Sequence, residues 1–561
     1  MNRGDAANAF SAAIVTLAAS LLGACVFAVC ALGRSAQFPS QSPDPDAVCA
    51  PCHRQIVESW KRTPMAHASG PAVEGFIPGE FTHAASGVHY RVFQEDGQVW
   101  LSYERPNAAA DRALNGKQLL RFYVGSGRRG RTWLFEREGY WYELPINWYA
   151  KQRLWDMAPG YLNATEMPFT LIVDSGCLHC HASDVEQSLP DARNHFSGLP
   201  FPHGGITCES CHGDPSQHLA QKGKGPILNP AKMDTVRRAS VCLKCHLEGE
   251  VAVVKQGYRL NAFRPGDNLF DDVAFFEDGR KAGPGGRATS QWESLLESAC
   301  KRSSGDRLNC TTCHDPHATV AAENRVAYYR SRCLACHTGL ASGHHDQNPD
   351  CTSCHMPRER TEDIAHEQVT DHRIQIASKP FASPLDAQEL VPIGGVRATP
   401  RDEGIAWAQL AIRGDRAAGE RAMSLLLQAE AQDPAQAPDA QLHMDLGFLE
   451  QVSGGRDRAM QEYQQALQAD PFNETAAGNL AILDAQQGDL TAALPLWETA
   501  FQHDPGASAA GIDLAVAQCR MGDAGAAAKT LQRVLEFSPD NDAARNMSLA
   551  LAAGTQRCGN R

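Results

Sequence analysis

Hydrophobic and polar positions along the chain fall into distinct regimes. From Ala9 to Gly33 no charged residue interrupts an apolar run of 25 residues. That run is longer than the apolar core of most secretion signals and long enough to span a bilayer. Between about residues 80 and 160 the pattern alternates with period two, in His89–Phe93, Gln98–Tyr103 and Arg131–Glu136. Glu138-Gly139 is a hairpin turn signal ahead of Tyr140–Leu144. These segments predict a small antiparallel β insertion. Residues 250–300, with Arg264-Pro-Gly-Asp267 and Phe270–Phe276, read as a loop-rich spacer, and Glu293–Ala299 as the opening of a helix. From about residue 401 the sequence turns rich in Ala, Leu and Gln and takes a helical period.

The helical part repeats. Asp433-Pro434, Asp470-Pro471, Asp504-Pro505 and Ser538-Pro539 recur at intervals of 37, 34 and 34. Thirty-four is the tetratricopeptide period, with Pro closing the second helix of each unit. Small and large positions agree: Ala459, Tyr463 and Ala466 precede Pro471, Ala493, Trp497 and Ala500 precede Pro505, and Ala527, Leu531 and Val534 precede Pro539. Leu446-Gly447 matches the first-helix signature. The expectation is four repeats, the first degenerate, with a final helix near 542–553.

Composition narrows the class. Of 561 residues, 43% are hydrophobic and 21% charged, which excludes a disordered chain. The net charge of −13 argues against nucleic acid as a partner. Residues 401–561 carry 12 basic and 22 acidic side chains, a net of −10. The unusual counts are 19 Cys and 21 His. A disulfide framework explains many Cys without explaining many His, so the pair of counts points to metal or haem.

Fourteen of the Cys fall in seven copies of C-x-x-C-H: Cys49-Ala-Pro-Cys52-His53, Cys177-Leu-His-Cys180-His181, Cys208-Glu-Ser-Cys211-His212, Cys242-Leu-Lys-Cys245-His246, Cys310-Thr-Thr-Cys313-His314, Cys333-Leu-Ala-Cys336-His337 and Cys351-Thr-Ser-Cys354-His355. This is the attachment site of haem c. Two thiols at that spacing reach the two vinyl groups of one porphyrin, and the adjacent His becomes the proximal iron ligand. A zinc or dithiol site would not demand His after every pair. Cys25, Cys30, Cys300, Cys519 and Cys558 remain; the first two lie in the apolar run, and the others read as packing residues or a stray pair.

The chain resembles the exported multihaem c-type cytochromes, and among them those with a tetratricopeptide array after the haem region. Cys208-Glu-Ser-Cys-His-Gly, Cys313-His-Asp-Pro-His317 and Cys354-His-Met-Pro357 carry the resemblance, over roughly residues 45–380. Related haem arrangements occur in the tetrahaem carrier of ammonia oxidation, hydroxylamine oxidoreductase and pentahaem nitrite reductase. The resemblance implies mostly bis-His iron, which carries electrons but binds no substrate.

Beyond the seven proximal His, two (His443 and His503) fall in the helical part and read as surface residues. Twelve are left as distal candidates. His218, His317, His366 and His372 stand in contexts similar to the family's, together with one of His344 and His345 and one of His195 and His203. The first motif is followed by Met65 and His67, either of which could ligate. His83 and His89 complete the set with His179, which lies inside the second motif.

Five of nine Trp and seven of eleven Tyr crowd into residues 90–161. They read as a core of aromatic cross-strand pairs in preference to a wall around a haem. Gly125-Ser-Gly127-Arg-Arg-Gly-Arg131 lacks the GK[ST] ending of a phosphate loop. Arg128, Arg129 and Arg131 either pair with haem propionates or form a solvated turn.

The organisation expected is therefore mainly α. Residues 1–34 form a cleaved secretion signal, an uncleaved anchor or, because Leu22-Gly23-Ala24-Cys25 resembles a lipobox, a lipoprotein signal. Residues 35–47 are a linker, 48–380 a turn-rich seven-haem domain, 381–400 a second linker and 401–561 the repeat domain. The function expected is electron transfer through seven covalent haems in a periplasmic or otherwise extracytoplasmic space, tethered to the membrane if the anchor is kept. A redox partner would dock on the acidic array or near an exposed haem, with the array standing outside the electron path. The alternative is a multihaem oxidoreductase acting on a small nitrogen or sulfur compound at one open haem.

Overall fold

The computed structural model describes residues 44–279, 291–338, 348–361, 368–375, 389–395, 398–432 and 438–559. The apolar run at 9–33 lies outside them, as do Asp433-Pro434 and half of the 381–400 linker. Among the described residues no helix is long and apolar enough to cross a membrane.

The aromatic-rich segment folds as predicted into antiparallel sheet, but it reaches further. Gly79–Thr82, His89–Glu95, Gln98–Glu104 and Asn115–Leu120 form a four-stranded meander. A seven-stranded sheet runs from Ser69–Pro71 through Phe122–Val124, Gly130–Arg137 and Tyr140–Glu143 to Leu171–Ile172, with Ile146–Tyr149 and Leu154–Met157 attached to its side. The Glu138-Gly139 turn joins two of its strands, with φ of 58° and 86° at the two residues, as the right-handed twist of a tight hairpin requires. The aromatics fill the space between the sheets. Trp133, Tyr90, Tyr142, Tyr149 and Phe135 are fully buried. Trp133 and Trp155 lie 4.8 Å apart, and Phe135 and Tyr142 5.5 Å apart. They form a packed core, with no wall of exposed rings.

Two expectations need correction. The fold is mixed α/β. The supposed spacer at 250–300 contains Val251–Val254 and Val273–Asp278, which pair with each other and with Leu390–Pro392 in a third antiparallel sheet. The four-residue apolar alternations were hidden between Gly/Pro turns, and the third strand comes from more than 100 residues away. Gln291–Leu296 and Ala299–Ser304 supply the helices expected after it.

The C-terminal region is a ladder of helix pairs: Pro400–Ile412 with Arg416–Gln432, Ala440–Ser453 with Arg456–Ala469, Glu474–Gln486 with Leu490–His503, and Ser508–Arg520 with Ala524–Phe537. Asp542–Ala552 follows as the final helix. Ala459, Tyr463 and Ala466 are fully buried, as are Ala527, Leu531 and Val534. Gly447 is required by packing, because a Cβ there would lie 2.6 Å from the Tyr463 ring.

The array does not stand apart. Its first helices share one buried cluster with the third sheet, in which Ile405, Trp407 and Leu410 meet Val251, Val253 and Phe276. Its far end closes on the aromatic sheets. Phe537 packs among Tyr140 and Tyr142. The Arg105 guanidinium grips both oxygens of Asp540, at 2.9 and 2.5 Å, and the Met167 amide donates to the same carboxylate at 2.8 Å. Both ends of the array are thus built into the core of the preceding region.

Candidate haem centres

Each C-x-x-C-H lies in or beside a helical turn, which makes positions i and i+3 neighbours and presents both thiols to one side. Polar residues just before the motifs start these turns. Asp174 accepts from the Cys177 amide at 2.8 Å, Asn309 from Thr311 at 3.0 Å and Asp350 from Thr352 at 3.0 Å. The Cys208 amide donates to Asp46 at 2.8 Å, tying the third motif to the segment before the first. None of the fourteen motif cysteines is drawn into a disulfide.

The motif thiols fall into three neighbouring sets. Cys49 touches Cys208, Cys180 touches Cys245, Cys242 touches Cys310 and Cys333 touches Cys351. The first motif therefore abuts the third, the second abuts the fourth, the fourth also meets the fifth, and the sixth meets the seventh.

Three proximal imidazoles face a second imidazole. His53 and His218 have ring centroids 6.5 Å apart with planes inclined by 20°. His212 and His317 are 6.0 Å apart at 11°, and His314 and His372 are 6.4 Å apart at 34°. In each pair at least one Nδ1 is held from behind. Leu228 O lies 2.8 Å from His212 Nδ1, Gly225 O 3.0 Å from His218 Nδ1, Thr370 O 2.9 Å from His372 Nδ1, and the Tyr329 hydroxyl 3.3 Å from His314 Nδ1. A carbonyl on Nδ1 fixes the tautomer and leaves Nε2 as the free ligand atom. His355 has the same support from Gln375 O, at 2.6 Å. Burial lowers the pKa of His246, His314, His317 and His372, and takes His181 down to about 4. Each is thereby kept neutral, the form that binds a metal.

Other candidates are placed differently. His67 is exposed with Nε2 2.6 Å from Lys61 O, and Met65 is exposed. Neither is brought opposite His53, where His218 stands. His195 gives Nδ1 to Asp191 at 2.7 Å and stacks on Tyr140 at 4.3 Å, with no proximal His opposite it. His203 lies in a short strand paired with Ser183, two residues from His181. His83 is committed at both nitrogens, to Ser86 Oγ and Leu162 O, each at 2.9 Å. His179 is bound at both nitrogens to backbone carbonyls of Gly176 and Lys244. His89 bonds Thr82. His344, His345 and His366 lie outside the described residues. His443 is no surface residue: it is buried against Glu462.

Sequence reasoning missed several supports. Tyr329 and the carbonyls behind the imidazoles carry no motif, and only contact reveals them. Arg131 spends its guanidinium on Gly125 O and Gly75 O, both at 3.0 Å, and covers the Tyr123 ring, so it belongs to the fold. The positive charge of Arg129 lies near enough to His246 and His372 to help lower the pKa of both. Cys519 and Cys558 do form a pair, as a disulfide that ties the C-terminal end to the array.

The spacing fits haem iron. Two metal–nitrogen bonds of about 2 Å and two imidazole half-widths of about 1 Å place ring centroids roughly 6 Å apart. All three pairs have that separation, with one member in a C-x-x-C-H motif.

A family model described as a tetratricopeptide repeat matches residues 484–551. One described as a doubled CXXCH motif matches residues 303–342. The chain thus carries a tetratricopeptide-repeat segment and a paired CXXCH segment, a motif associated with haem binding. Among solved structures, the chain is similar to MamA of AMB-1, with 22% identity, 28% of this chain and 81% of that one covered, and a TM-score of 0.25. It is also similar to a tetratricopeptide repeat protein from Parabacteroides merdae, with 21% identity, 27% and 58% covered, and a TM-score of 0.25. A third is the first TPR of Spaghetti (RPAP3) bound to an HSP90 peptide, with 22% identity, 21% and 95% covered, and a TM-score of 0.20. Among curated proteins no match was found.

Proposed function

We propose that this chain is an exported multihaem c-type cytochrome that carries electrons through seven covalently attached haems and uses its repeat array to dock a partner protein. The facing imidazole pairs carry the reading. When bound, each haem supplies reversible one-electron iron chemistry, and the chain holds and orients it. The C-x-x-C thiols anchor the porphyrin, and the next His takes the proximal position.

In this reading His218 is distal to the first haem, His317 to the third and His372 to the fifth. His218 follows the third motif by six residues and His317 follows the fifth by three. The first and third haem centres are therefore closed by the segments that anchor the third and fifth, which fixes those neighbouring haems relative to each other. The contacts among motif cysteines extend the same chain of neighbours to the second, fourth, sixth and seventh motifs. Six-coordinate iron suits transfer between haems without substrate binding.

Two features support the rest. A disulfide between Cys519 and Cys558 suits an oxidising, exported compartment. The net charge of −10 on the array suits a basic partner surface, because repeat arrays offer extended binding faces and charge speeds encounter.

Low-temperature EPR of the haem-loaded chain tests the reading. Low-spin signals accounting for most of the iron are expected. A spectrum dominated by high-spin iron that responds to small ligands would refute the carrier and favour an oxidoreductase.

A further inference from the structure

We infer that the junction between the first two repeats holds a divalent transition-metal site, fitted to zinc, formed by Glu430, His443 and Glu462. These residues come from three helices: Arg416–Gln432, Ala440–Ser453 and Arg456–Ala469. One ligand atom from each lies within 4.8 Å of the other two. His443 Nδ1 is 2.8 Å from Glu462 Oε2. The site is independent of the haem assignment.

His443 is 7% exposed and Glu462 4% exposed, so both are withdrawn from water. A buried carboxylate needs a compensating charge. Among the described residues Glu462 pairs with His443, and Glu430 is half-buried with no ion pair of its own. A single imidazolium cannot balance two carboxylates, whereas a divalent cation held by both carboxylates and a neutral imidazole does.

The repeats single out the same three positions. Counting back from the Pro that closes each unit, Glu430 corresponds to Leu467, Phe501 and Leu535. His443 corresponds to Ala477 and Gly511, and Glu462 to Leu496 and Thr530. These positions elsewhere carry mostly apolar or small residues that pack adjoining helices. Charge at all three is confined to one junction, and there the three side chains converge. Repeat packing alone requires none of them.

The donor set selects the ion. One imidazole nitrogen and two carboxylate oxygens suit zinc, which binds nitrogen at about 2.0–2.1 Å and carboxylate oxygen at about 2.0–2.2 Å. Calcium and magnesium prefer all-oxygen shells. Three protein ligands leave a fourth position for water. Bound there, zinc would lock the first repeat to the second.

The test counts metals on the haem-loaded full chain after chelator dialysis and re-equilibration with zinc sulfate. Iron is the internal control, because thioether formation removes the motif thiols as competing zinc ligands. One zinc per chain is expected, together with a thermal midpoint that rises with zinc. E430Q, at the least buried ligand, keeps the fold and should weaken zinc binding at least about tenfold with iron unchanged. E462Q and H443A should abolish both the stoichiometric zinc and the thermal shift. Absence of zinc from the unmodified chain, or zinc retained equally in all three variants, would overturn the site.

Discussion

His53 and His218 face each other across 6.5 Å, nearly parallel, although they belong to the first and third motif segments. Met65 and His67, much closer in sequence to the first motif, are not brought to that position. In the proposed reading the distal side of the first centre is therefore closed by a residue from the third motif's segment. The Gly225 carbonyl holds His218 Nδ1 at 3.0 Å and leaves Nε2 as the free ligand atom.

Replacement of His218 by Ala should consequently open one haem per chain to carbon monoxide, seen as a new Soret difference band in the reduced protein. M65A and H67A should leave the spectrum unchanged. A carbon monoxide complex in H67A or M65A, with none in H218A, would reassign the ligand.

The Arg105–Asp540 pair should dominate the closure between the array's far end and the aromatic sheets. The Asp540 side chain is fully buried and that of Arg105 is 8% exposed. Removing one partner of a buried pair costs about 3–5 kcal/mol. D540A should lose stability on that scale in urea unfolding followed by far-UV circular dichroism. The double variant R105A/D540A should recover part of the loss, and equal stability of D540A and the parent would show that the closure is incidental. Truncation before residue 400 uncovers Val251, Val253 and Phe276 and should lower the yield of folded haem protein, not simply remove a docking surface.

Asp445 gives the array a pH dependence. Burial pushes its carboxyl up to about 7, with a Gln441 amide at 3.1 Å on one oxygen and no partner on the other. The folded-state value lies above the ordinary carboxylate value, so stability is greatest at low pH and is lost as pH rises through about 7. D445N removes the penalty and should stabilise the chain at pH 8 by on the order of 2–4 kcal/mol, with no gain near pH 4. Parallel stability curves for the two proteins between pH 5 and 8 would rule this out.

The Cys519–Cys558 disulfide closes 39 residues of sequence. A loop of that length contributes about 4 kcal/mol by chain entropy. C558S should lower the unfolding free energy by about 2–4 kcal/mol, and reductant should do the same to the parent without releasing haem. Indifference of the parent's unfolding midpoint to reductant would mean that the bond does not form.

Much of this was legible along the chain because its signals are periodic or local. The Pro-closed repeats, the hairpin at Glu138-Gly139 and the seven C-x-x-C-H motifs each specify a local geometry that neighbours cannot alter. The third sheet was missed because Leu390–Pro392 pairs with strands far away in sequence. His443 was misread as a surface residue because its helix alone does not show Glu462 on the next one. The distal ligands could be narrowed to a set of His but not assigned, since which ring meets which is decided by the packing of segments on different motifs. Likewise, no pattern in residues 401–561 announces that both ends of the array are built into another core.

The account rests most heavily on covalent haem at every motif. The most direct measurement is a pyridine haemochrome assay on protein matured in an export compartment, referred to chain concentration by amino-acid analysis. Seven haems per chain are predicted, falling to six when Cys49 and Cys52 are both replaced by Ala. A value clearly below seven for the unmodified chain would contradict the account.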